Sequence, residues 1–389
     1  MRVLLAFDKF KDALTARAAC DIAAAALREH HANWQLDLCP LADGGEGFGE
    51  ILTAAAGGEC REFSVTGPRG DPVRAPVGFV PLARIPATAR TLLRLESRGT
   101  ENENASLAVV EMAAASGLAL LAPERRDPWQ ATSLGTGELL RHAAAQNVAA
   151  ILLGIGGSAT NDLGLGALAA LGAEFSDAAS APLRPPMPAT WPRIATMRPP
   201  RARTLPPIRI ACDVTNPLLG PRGAAAIYGP QKGLRAADLK RMEHEMARLA
   251  LMLCHACDRP DALMDVPGTG AAGGISFGLM AAADAQLLPG FDLVAAWLDL
   301  DARLAAADLV ITGEGRFDDS SLSGKGPGAV VARALALGKR VHVFAGAVSL
   351  AAPPPRLAVS AITPPGVPLE RALPLAAENL AVAVRAALP

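Results

Sequence analysis

The stretch Val148-Ala-Ala-Ile-Leu-Leu-Gly-Ile-Gly-Gly-Ser-Ala-Thr-Asn-Asp162 decides the fold class of this chain. It opens with an apolar run of strand length, continues through a glycine-rich loop, and leads into an apolar segment of helical length that reaches about residue 171. Strand, glycine loop and helix in this order are typical of α/β proteins. Four other glycine-rich loops lie at 43–47, 229–233, 268–274 and 313–316, and all of them except 268–274 carry charged side chains.

Strands and helices alternate at both ends of the chain. The pattern predicts strands at 3–7, 34–39 and 59–65, with Thr15 as the N-cap of the first helix, and later strands at 309–312 and 341–345. The stretch between them is more mixed. We therefore predict two α/β domains: a Rossmann-like parallel-sheet domain built from 1–66 and 287–389, and a mixed α/β domain inserted at 67–286.

Composition excludes several classes of protein. The net charge of −1 and the lack of a basic stripe argue against nucleic-acid partners. The sequence contains no stretch of 18 or more apolar residues free of charge, so no membrane-spanning helix is predicted. Residues 1–8 become charged too early for a signal peptide. The six cysteines are scattered, which is typical of reduced thiols, so we expect a cytoplasmic protein.

The glycine loops favour phosphoryl transfer over other chemistries. Residues 154–159 match Gly-x-Gly-x-x-Ala, which leaves an NAD-dependent dehydrogenase of a small hydroxy acid open as an alternative. No Walker-type phosphate loop and no Gly-x-Ser-x-Gly elbow occur in the sequence. Several loops combine carboxylates and cations, which suits a reaction that depends on positioning and on charge neutralisation.

At these loops the sequence resembles the bacterial glycerate kinase family, and the similarity runs nearly end to end. The matching segments, in family order, are 8–11, 42–47, 110–117, 132–138, 154–162, 212–218, 229–233, 270–274 and 311–316. The resemblance implies the two-domain α/β fold and a kinase that phosphorylates D-glycerate with ATP and Mg²⁺. It implies 2-phosphoglycerate as the product, with 3-phosphoglycerate as the alternative.

Other functions and partners stay open at this stage. A non-catalytic sugar-acid sensor on the same scaffold is a further alternative to the kinase. The expected partners are glycerate and ATP, with neither nucleic acid nor membrane. The oligomeric state is open, with a homodimer as one candidate.

The chain departs from the family pattern at several positions. The family usually has Ser at Lys9, Thr at Phe48, Gly at Leu163 and Gln at Ser320, and its Ala-Gly-Ser-Leu-Gly segment reads Ala-Gly-Ala-Val-Ser here, at 345–349. These changes affect local contacts, whereas the charged residues of each motif are retained.

Four residues are candidates for the chemical step. Asp162 and Asp213 compete for the role of the base that takes the proton of the acceptor hydroxyl. Lys232, in a glycine-containing loop that is expected to keep its ammonium accessible, would meet a phosphate or the carboxylate. Arg316 suits a bidentate grip on the same groups.

Carboxylates in the loops are candidate Mg²⁺ ligands: Asp43, Glu46, Glu314 and Asp318. For Asp43 and Glu46 the alternative is a capping box, because they precede a predicted helix at the right spacing. For Glu314 and Asp318 it is a structural ion pair with Arg316.

The remaining candidates would contact substrate or nucleotide. Ser158, Thr160 and Asn161 are expected to open a helix whose N-terminus attracts phosphate, or else merely to cap it. Asn216 would orient the substrate or form a turn with Pro217. The other candidates are Lys9, Lys11, Gly44, Gly45, Gly156, Gly157, Gln231, Gly315, Gly324 and Lys325.

Overall fold

A computed structural model describes residues 1–95, 105–200, 205–322 and 326–388. The strands are β1 (Arg2–Phe7), β2 (Gln35–Leu38), β3 (Glu59–Thr66), β4 (Pro72–Pro81), β5 (Ser106–Glu111), β6 (Ala150–Gly154), β7 (Glu174–Ser176), β8 (Thr196–Arg198), β9 (Ile208–Ala211), β10 (Gln286–Leu288), β11 (Leu309–Asp318), β12 (Arg340–Ser349) and β13 (Leu357–Ala361). The α-helices are α1 (Ala16–His30), α2 (Phe48–Ala55), α3 (Ala87–Leu92), α4 (Met112–Ser116), α5 (Leu134–Ala144), α6 (Leu165–Ala170), α7 (Ala224–Tyr228), α8 (Leu239–Ala256), α9 (Ile275–Ala283), α10 (Gly290–Trp297), α11 (Leu300–Ala306), α12 (Asp319–Leu322), α13 (Pro327–Ala336), α14 (Leu369–Ala372) and α15 (Ala376–Ala387). Among the described helices, none has the length and apolar character needed to cross a membrane.

The chain divides into two compact units, which we call the first unit (Met1–Asp43 and Phe291–Pro389) and the second unit (Gly44–Gly290). The sequence predicts junctions at 66–67 and 286–287, whereas the compact units join at 43–44 and 290–291. The first difference arises because β3 pairs antiparallel with β4 of the second unit, rather than closing the sheet that contains β1. Whether either unit is an independent folding domain stays a prediction.

The first unit contains a parallel sheet built from both ends of the chain. Its strand order is β13-β12-β11-β1-β2, and every pair in it is parallel. Strand β1 is buried at five successive positions, as expected for a strand covered on both faces. Helix α1 begins at the predicted cap, since Ala18 N donates to Thr15 Oγ1 at 3.1 Å, and it packs with α15 against the sheet.

The second unit contains a mixed sheet with the order β10-β9-β6-β5-β4-β3. Strands β5, β6, β9 and β10 run parallel, whereas β3, β4 and β5 pair antiparallel. The core lies between this sheet and helices that include α5, α6, α8 and α9. The predicted fold class, a Rossmann-like sheet from both chain ends with a mixed α/β middle, is therefore confirmed.

Two local predictions are wrong. The strand predicted at 309–312 runs on to Asp318, because β12 pairs with it as far as Ser349, so Gly313 to Arg316 are strand residues and not a loop. Gly313 is needed there for space: a Cβ would lie 2.9 Å from the Phe7 ring and would collide with the Phe344 carbonyl oxygen. The helix predicted directly after Asn161 begins only at Leu165.

Candidate active site

Two glycine loops of the second unit pack backbone against backbone. Gly156 N donates to the Gly44 carbonyl oxygen at 2.8 Å, and a Cβ on Gly156 would lie 2.6 Å from Gly45 Cα. Gly157 O in turn accepts from Leu118 N at 2.7 Å. Glycine is therefore required at 156 for close approach, and the loops that follow β5 and β6 meet the loop that precedes α2.

The start of α2 is capped by a residue that the sequence analysis did not select. Glu111, the last residue of β5, accepts from Gly47 N and Gly49 N at 3.1 Å each. The N-cap position is Gly47, with φ of 90° and no capping side chain. The capping-box interpretation required Asp43 at the N-cap position, and it is wrong because that position is Gly47.

Glu46 lies against the second loop. A Cβ on Gly157 would come within 2.8 Å of the Glu46 carboxyl carbon, so this carboxylate is packed over the glycine. Gly157 has φ of 70°, which favours glycine at this position.

Lys232 is buried, with 1% of its surface exposed, so the prediction of an accessible ammonium is wrong. Its Nζ donates to Ser158 Oγ at 2.9 Å, to the Thr160 carbonyl oxygen at 2.6 Å and to Asn161 Oδ1 at 3.4 Å. Burial lowers the pKa of Lys232 to about 7, against the opposing attraction of Asp162. The lysine therefore holds the loop at 158–161 in place. Thr160 Oγ1 and Asn161 Nδ2 remain buried without a hydrogen-bond partner.

Asp162 is also fully buried, and its oxygens are occupied. Oδ2 accepts from Ser133 N and Ser133 Oγ at 2.7 Å each and from Gly166 N at 3.3 Å, while Oδ1 accepts from Gly164 N at 3.2 Å. Burial raises the pKa of Asp162, although these hydrogen bonds oppose the rise. Because the first amides of α6 are satisfied in this way, its N-terminus does not present the phosphate site expected from Ser158, Thr160 and Asn161.

Asp213 and Asn216 follow β9 and differ in their surroundings. Asp213 is half-buried, and its Oδ2 lies 3.1 Å from the point where a Cβ on Gly290 would stand. Both ends of the Asn216 amide are bonded locally: Oδ1 accepts from Tyr228 at 2.8 Å, and Nδ2 donates to the Arg222 carbonyl oxygen at 2.7 Å. These bonds favour the turn interpretation of Asn216. Gln231 is exposed.

The first unit brings together carboxylates at the carboxyl ends of β1 and β11 and in the loop that follows β2. We call Asp8, Asp43, Glu314 and Asp318 the acidic cluster. Burial raises the pKa of Glu314 to about 7, with smaller contributions from the negative charges of Asp8, Asp318 and Asp43 and an opposing hydrogen bond from Ser321. Glu314 Oε1 is buried without a hydrogen-bond partner. Asp8, which follows β1, was not among the selected site residues.

Cations line the same part of the first unit. Lys9 Nζ lies 3.0 Å from Asp43 Oδ1, and Arg316 Nε lies 3.2 Å from Asp318 Oδ2. The Arg316 side chain is 71% exposed, so this ion pair is weak and the guanidinium can turn to another anion. Lys11 is exposed, and Gly315 lies beside its backbone. Gly324 and Lys325 fall outside the described residues.

The acidic cluster contains a buried carboxylate oxygen, Glu314 Oε1, that has no hydrogen-bond partner among the described residues. Burial is the main cause of the raised pKa of Glu314, and Lys9 and Arg316 already pair with Asp43 and Asp318 of the cluster. Within the described ranges, no group of three or more His, Cys, Asp or Glu side chains is arranged to hold a metal ion. Sites that use one or two carboxylates together with water and substrate phosphates, as Mg²⁺ sites often do, do not need such a group.

Sequence reasoning missed three side chains of these sites. Glu111 ends β5 and Asp8 directly follows β1, and a carboxylate at the carboxyl end of a predicted strand is a signal that could have selected both. Ser133 carries no comparable signal, because its role depends on Asp162, which lies 29 residues away in sequence.

Comparison with known proteins identifies relatives along the whole chain. Residues 3–388 match the family described as the glycerate kinase family. The chain is 38% identical to a glycerate 2-kinase of Escherichia coli K12 over 84% of this chain and 80% of that one. It is 36% identical to a glycerate kinase of Bacillus subtilis 168, over 98% and 95%. A crystal structure from Salmonella typhimurium LT2, provisionally described as glycerate kinase 2, superposes with a TM-score of 0.72 at 36% identity, covering 100% of this chain and 97% of that one.

Proposed function

The chain belongs to the glycerate kinase family, and from this premise we propose that it transfers the γ-phosphate of ATP to the 2-hydroxyl of D-glycerate. The observation that carries the proposal is the extent of the family match, from residue 3 to residue 388. The relative from Escherichia coli K12, a glycerate 2-kinase, supports 2-phosphoglycerate over 3-phosphoglycerate as the product.

We assign the metal to the acidic cluster of the first unit. Asp43, Glu314 and Asp318, with Asp8 beside them, offer the carboxylate oxygens that Mg²⁺ prefers, and Glu314 Oε1 has no protein partner. When bound, Mg²⁺ would neutralise the phosphate oxygens of ATP. Lys9 and Arg316, whose ion pairs are with carboxylates of this cluster, would help to hold the nucleotide phosphates. Glu46 is the remaining metal candidate, and it lies over Gly157 in the second unit.

We assign the general base to Asp213 rather than to Asp162. A base must come within hydrogen-bond distance of the proton that it takes. Asp162 is fully buried and accepts four hydrogen bonds from Ser133, Gly164 and Gly166, so it serves to position the loop. Asp213 is only half-buried and follows β9 at the carboxyl end of the sheet, where ligands of open α/β sheets bind.

We also propose a cellular compartment and an oligomeric state. All six cysteines are free thiols, which supports a reducing compartment such as the cytoplasm. A homodimer is the assembly that we would test first, by light scattering at several protein concentrations.

The test of function is a phosphoryl-transfer assay. Purified protein is incubated with ATP, Mg²⁺ and D-glycerate, and the products are followed by ³¹P NMR. We expect a glycerate-dependent 2-phosphoglycerate signal with one ADP formed per product. No glycerate-dependent ADP from a folded sample would refute the kinase, and a 3-phosphoglycerate signal would refute the 2-hydroxyl assignment.

The role of Asp213 is tested in the same assay. Asp213→Asn keeps the size of the side chain but cannot take a proton, so kcat should fall by about 10²–10⁴-fold. The control is Glu174→Gln, which neutralises an exposed carboxylate of β7 and should leave kcat unchanged. If Asp213→Asn retained the wild-type kcat, the base would have to be sought elsewhere.

A further inference from the structure

The second unit holds a group of buried polar atoms with no hydrogen-bond partner. Thr160 Oγ1, Asn161 Nδ2 and Arg126 Nε are all buried and unpaired in the part of the chain that the structure describes. Thr160 and Asn161 are themselves fully buried. Burying a polar atom without a partner is unfavourable, so these three unpaired atoms point to a ligand that completes the bonding.

These atoms belong to segments that are joined by direct contacts. Lys232 Nζ binds the Thr160 carbonyl oxygen and Asn161 Oδ1, which fixes one side of the group. The next residue, Gly233, packs against Arg126: a Cβ on Gly233 would collide with the Arg126 carbonyl oxygen and lie 3.4 Å from Arg126 Cβ. Arg126 is therefore held next to the loop that carries Lys232.

Arg126 differs from the neighbouring cations in having no carboxylate partner among the described residues. The ammonium of Lys232 is attracted by the carboxylate of Asp162. The preceding residue, Arg125, pairs with Asp71 at 2.7 Å on the surface. Arg126 forms no ion pair with a carboxylate anywhere in the described ranges. The guanidinium of Arg126 is thus not neutralised by a paired carboxylate, which favours binding of an anion.

We infer that Arg126 determines substrate specificity by binding the carboxylate of glycerate, and that Asn161 Nδ2 is a second hydrogen-bond donor to it. The inference rests on the proposed function. A planar guanidinium matches a carboxylate with two parallel hydrogen bonds. The unpaired hydroxyl of Thr160 can both donate and accept, which suits a hydroxy acid. A nucleotide phosphate is the less suitable occupant, because the carboxylates of the acidic cluster are better suited to a metal–phosphate group.

The test compares two substrates in variants of two adjacent arginines. Arg126→Gln removes the charge, Arg126→Lys keeps the charge without the planar fork, and Arg125→Gln is the matched control. Each is assayed with D-glycerate and with D-glyceramide, which has the same hydroxyl groups and no carboxylate. For Arg126→Gln we expect KM for glycerate to rise roughly 10–100-fold, as loss of a charged hydrogen bond implies. KM for ATP should stay within about twofold, and the preference for glycerate over glyceramide should fall in proportion.

Several results would overturn the inference. One is an unchanged KM for glycerate in Arg126→Gln. Another is an increase in KM for ATP instead, which would assign Arg126 to phosphate binding. A third is an equal loss of kcat/KM with glycerate and glyceramide, which a structural role would produce. If Arg126→Gln fails to fold, Arg126→Lys decides the question by the same substrate ratio, with a smaller loss expected.

Calorimetry of D-glycerate binding in the absence of ATP distinguishes a failure of this inference from a failure of the proposed function. Binding to wild type that is lost in Arg126→Gln, with no phosphoglycerate formed by wild type, would support the site and refute the kinase. Turnover by wild type that Arg126→Gln leaves intact would support the kinase and refute the site.

Discussion

Replacing Glu314 by glutamine should make the metal-free protein more stable at pH 8 while abolishing turnover. Burial, with smaller contributions from neighbouring carboxylates, raises the pKa of Glu314 from 4.5 to about 7. A shift of that size corresponds to roughly 3 kcal/mol between the protonated and ionised forms. Because the side chain is only half-buried, solvent screening reduces the effect on stability to about 1–2 kcal/mol.

The sign of the pH dependence follows from the direction of the shift. Below pH 4.5 the carboxyl of Glu314 is protonated in both the folded and the unfolded chain, and it carries no penalty. Between pH 4.5 and about 7 the unfolded chain has lost this proton and the folded chain retains it, so the free energy of unfolding falls as pH rises. Above about pH 7 the full penalty is present. Glu314→Gln, which never ionises, should escape it.

The measurement is the urea midpoint and Tm of both proteins in EDTA at pH 4 and pH 8. At pH 8 we expect the Tm of Glu314→Gln to lie roughly 1–2 °C above that of wild type, with a higher urea midpoint, and at pH 4 both should match wild type. Glu29→Gln is the contrasting control, because Arg385 lowers the pKa of Glu29 and its removal should not stabilise the protein. A variant no more stable than wild type at pH 8, or the same difference at both pH values, would refute the reasoning.

Two further substitutions test the second unit. Asp162→Asn should lower the free energy of unfolding, measured by urea denaturation, by about 1–3 kcal/mol, because an amide NH₂ would face the Gly164 N–H or the Ser133 donors. A fall in kcat of less than tenfold agrees with a positioning role. A roughly 10²–10⁴-fold fall would make Asp162 the base. Leu163→Gly restores the residue that is usual in the family, yet it should lower Tm. Relief of the left-handed backbone conformation (φ 55°) would stabilise the fold by about 1–2 kcal/mol, whereas loss of the buried leucine side chain would destabilise it by about 2–5 kcal/mol. An unchanged or higher Tm would mean that backbone strain at this residue outweighs its packing.

The fold was predictable where local pattern and packing agree. The strand that ends at Gly154 has an apolar run, a glycine turn and a following helix, and each of these signals depends only on neighbouring residues. The strand predicted at 59–65 corresponds to β3. Its partner was predicted wrongly, because pairing with β4 depends on the hairpin at 67–71 and not on the strand itself.

The candidate site was predictable as a set of loops and not as a set of contacts. Lys232 looked accessible because a glycine follows it, yet its burial depends on acceptors at Ser158 and Thr160, more than 70 residues away in sequence. Gly313 suggested a loop, whereas its small size serves the close approach of the Phe7 ring within a continuous strand. Such close contacts arise only from tertiary packing, which the sequence pattern does not contain.

The pairing of β1 with β11 has a consequence for how the chain folds during synthesis. Val3 aligns with Leu309, so one edge of β1 pairs with a strand, β11, that lies about three hundred residues downstream. Until the ribosome has released that segment, β1 presents five residues that are buried in the finished protein. Contacts this distant slow folding and leave apolar strand edges open to aggregation. We therefore expect β1 to be prone to aggregation until β11 has been synthesised.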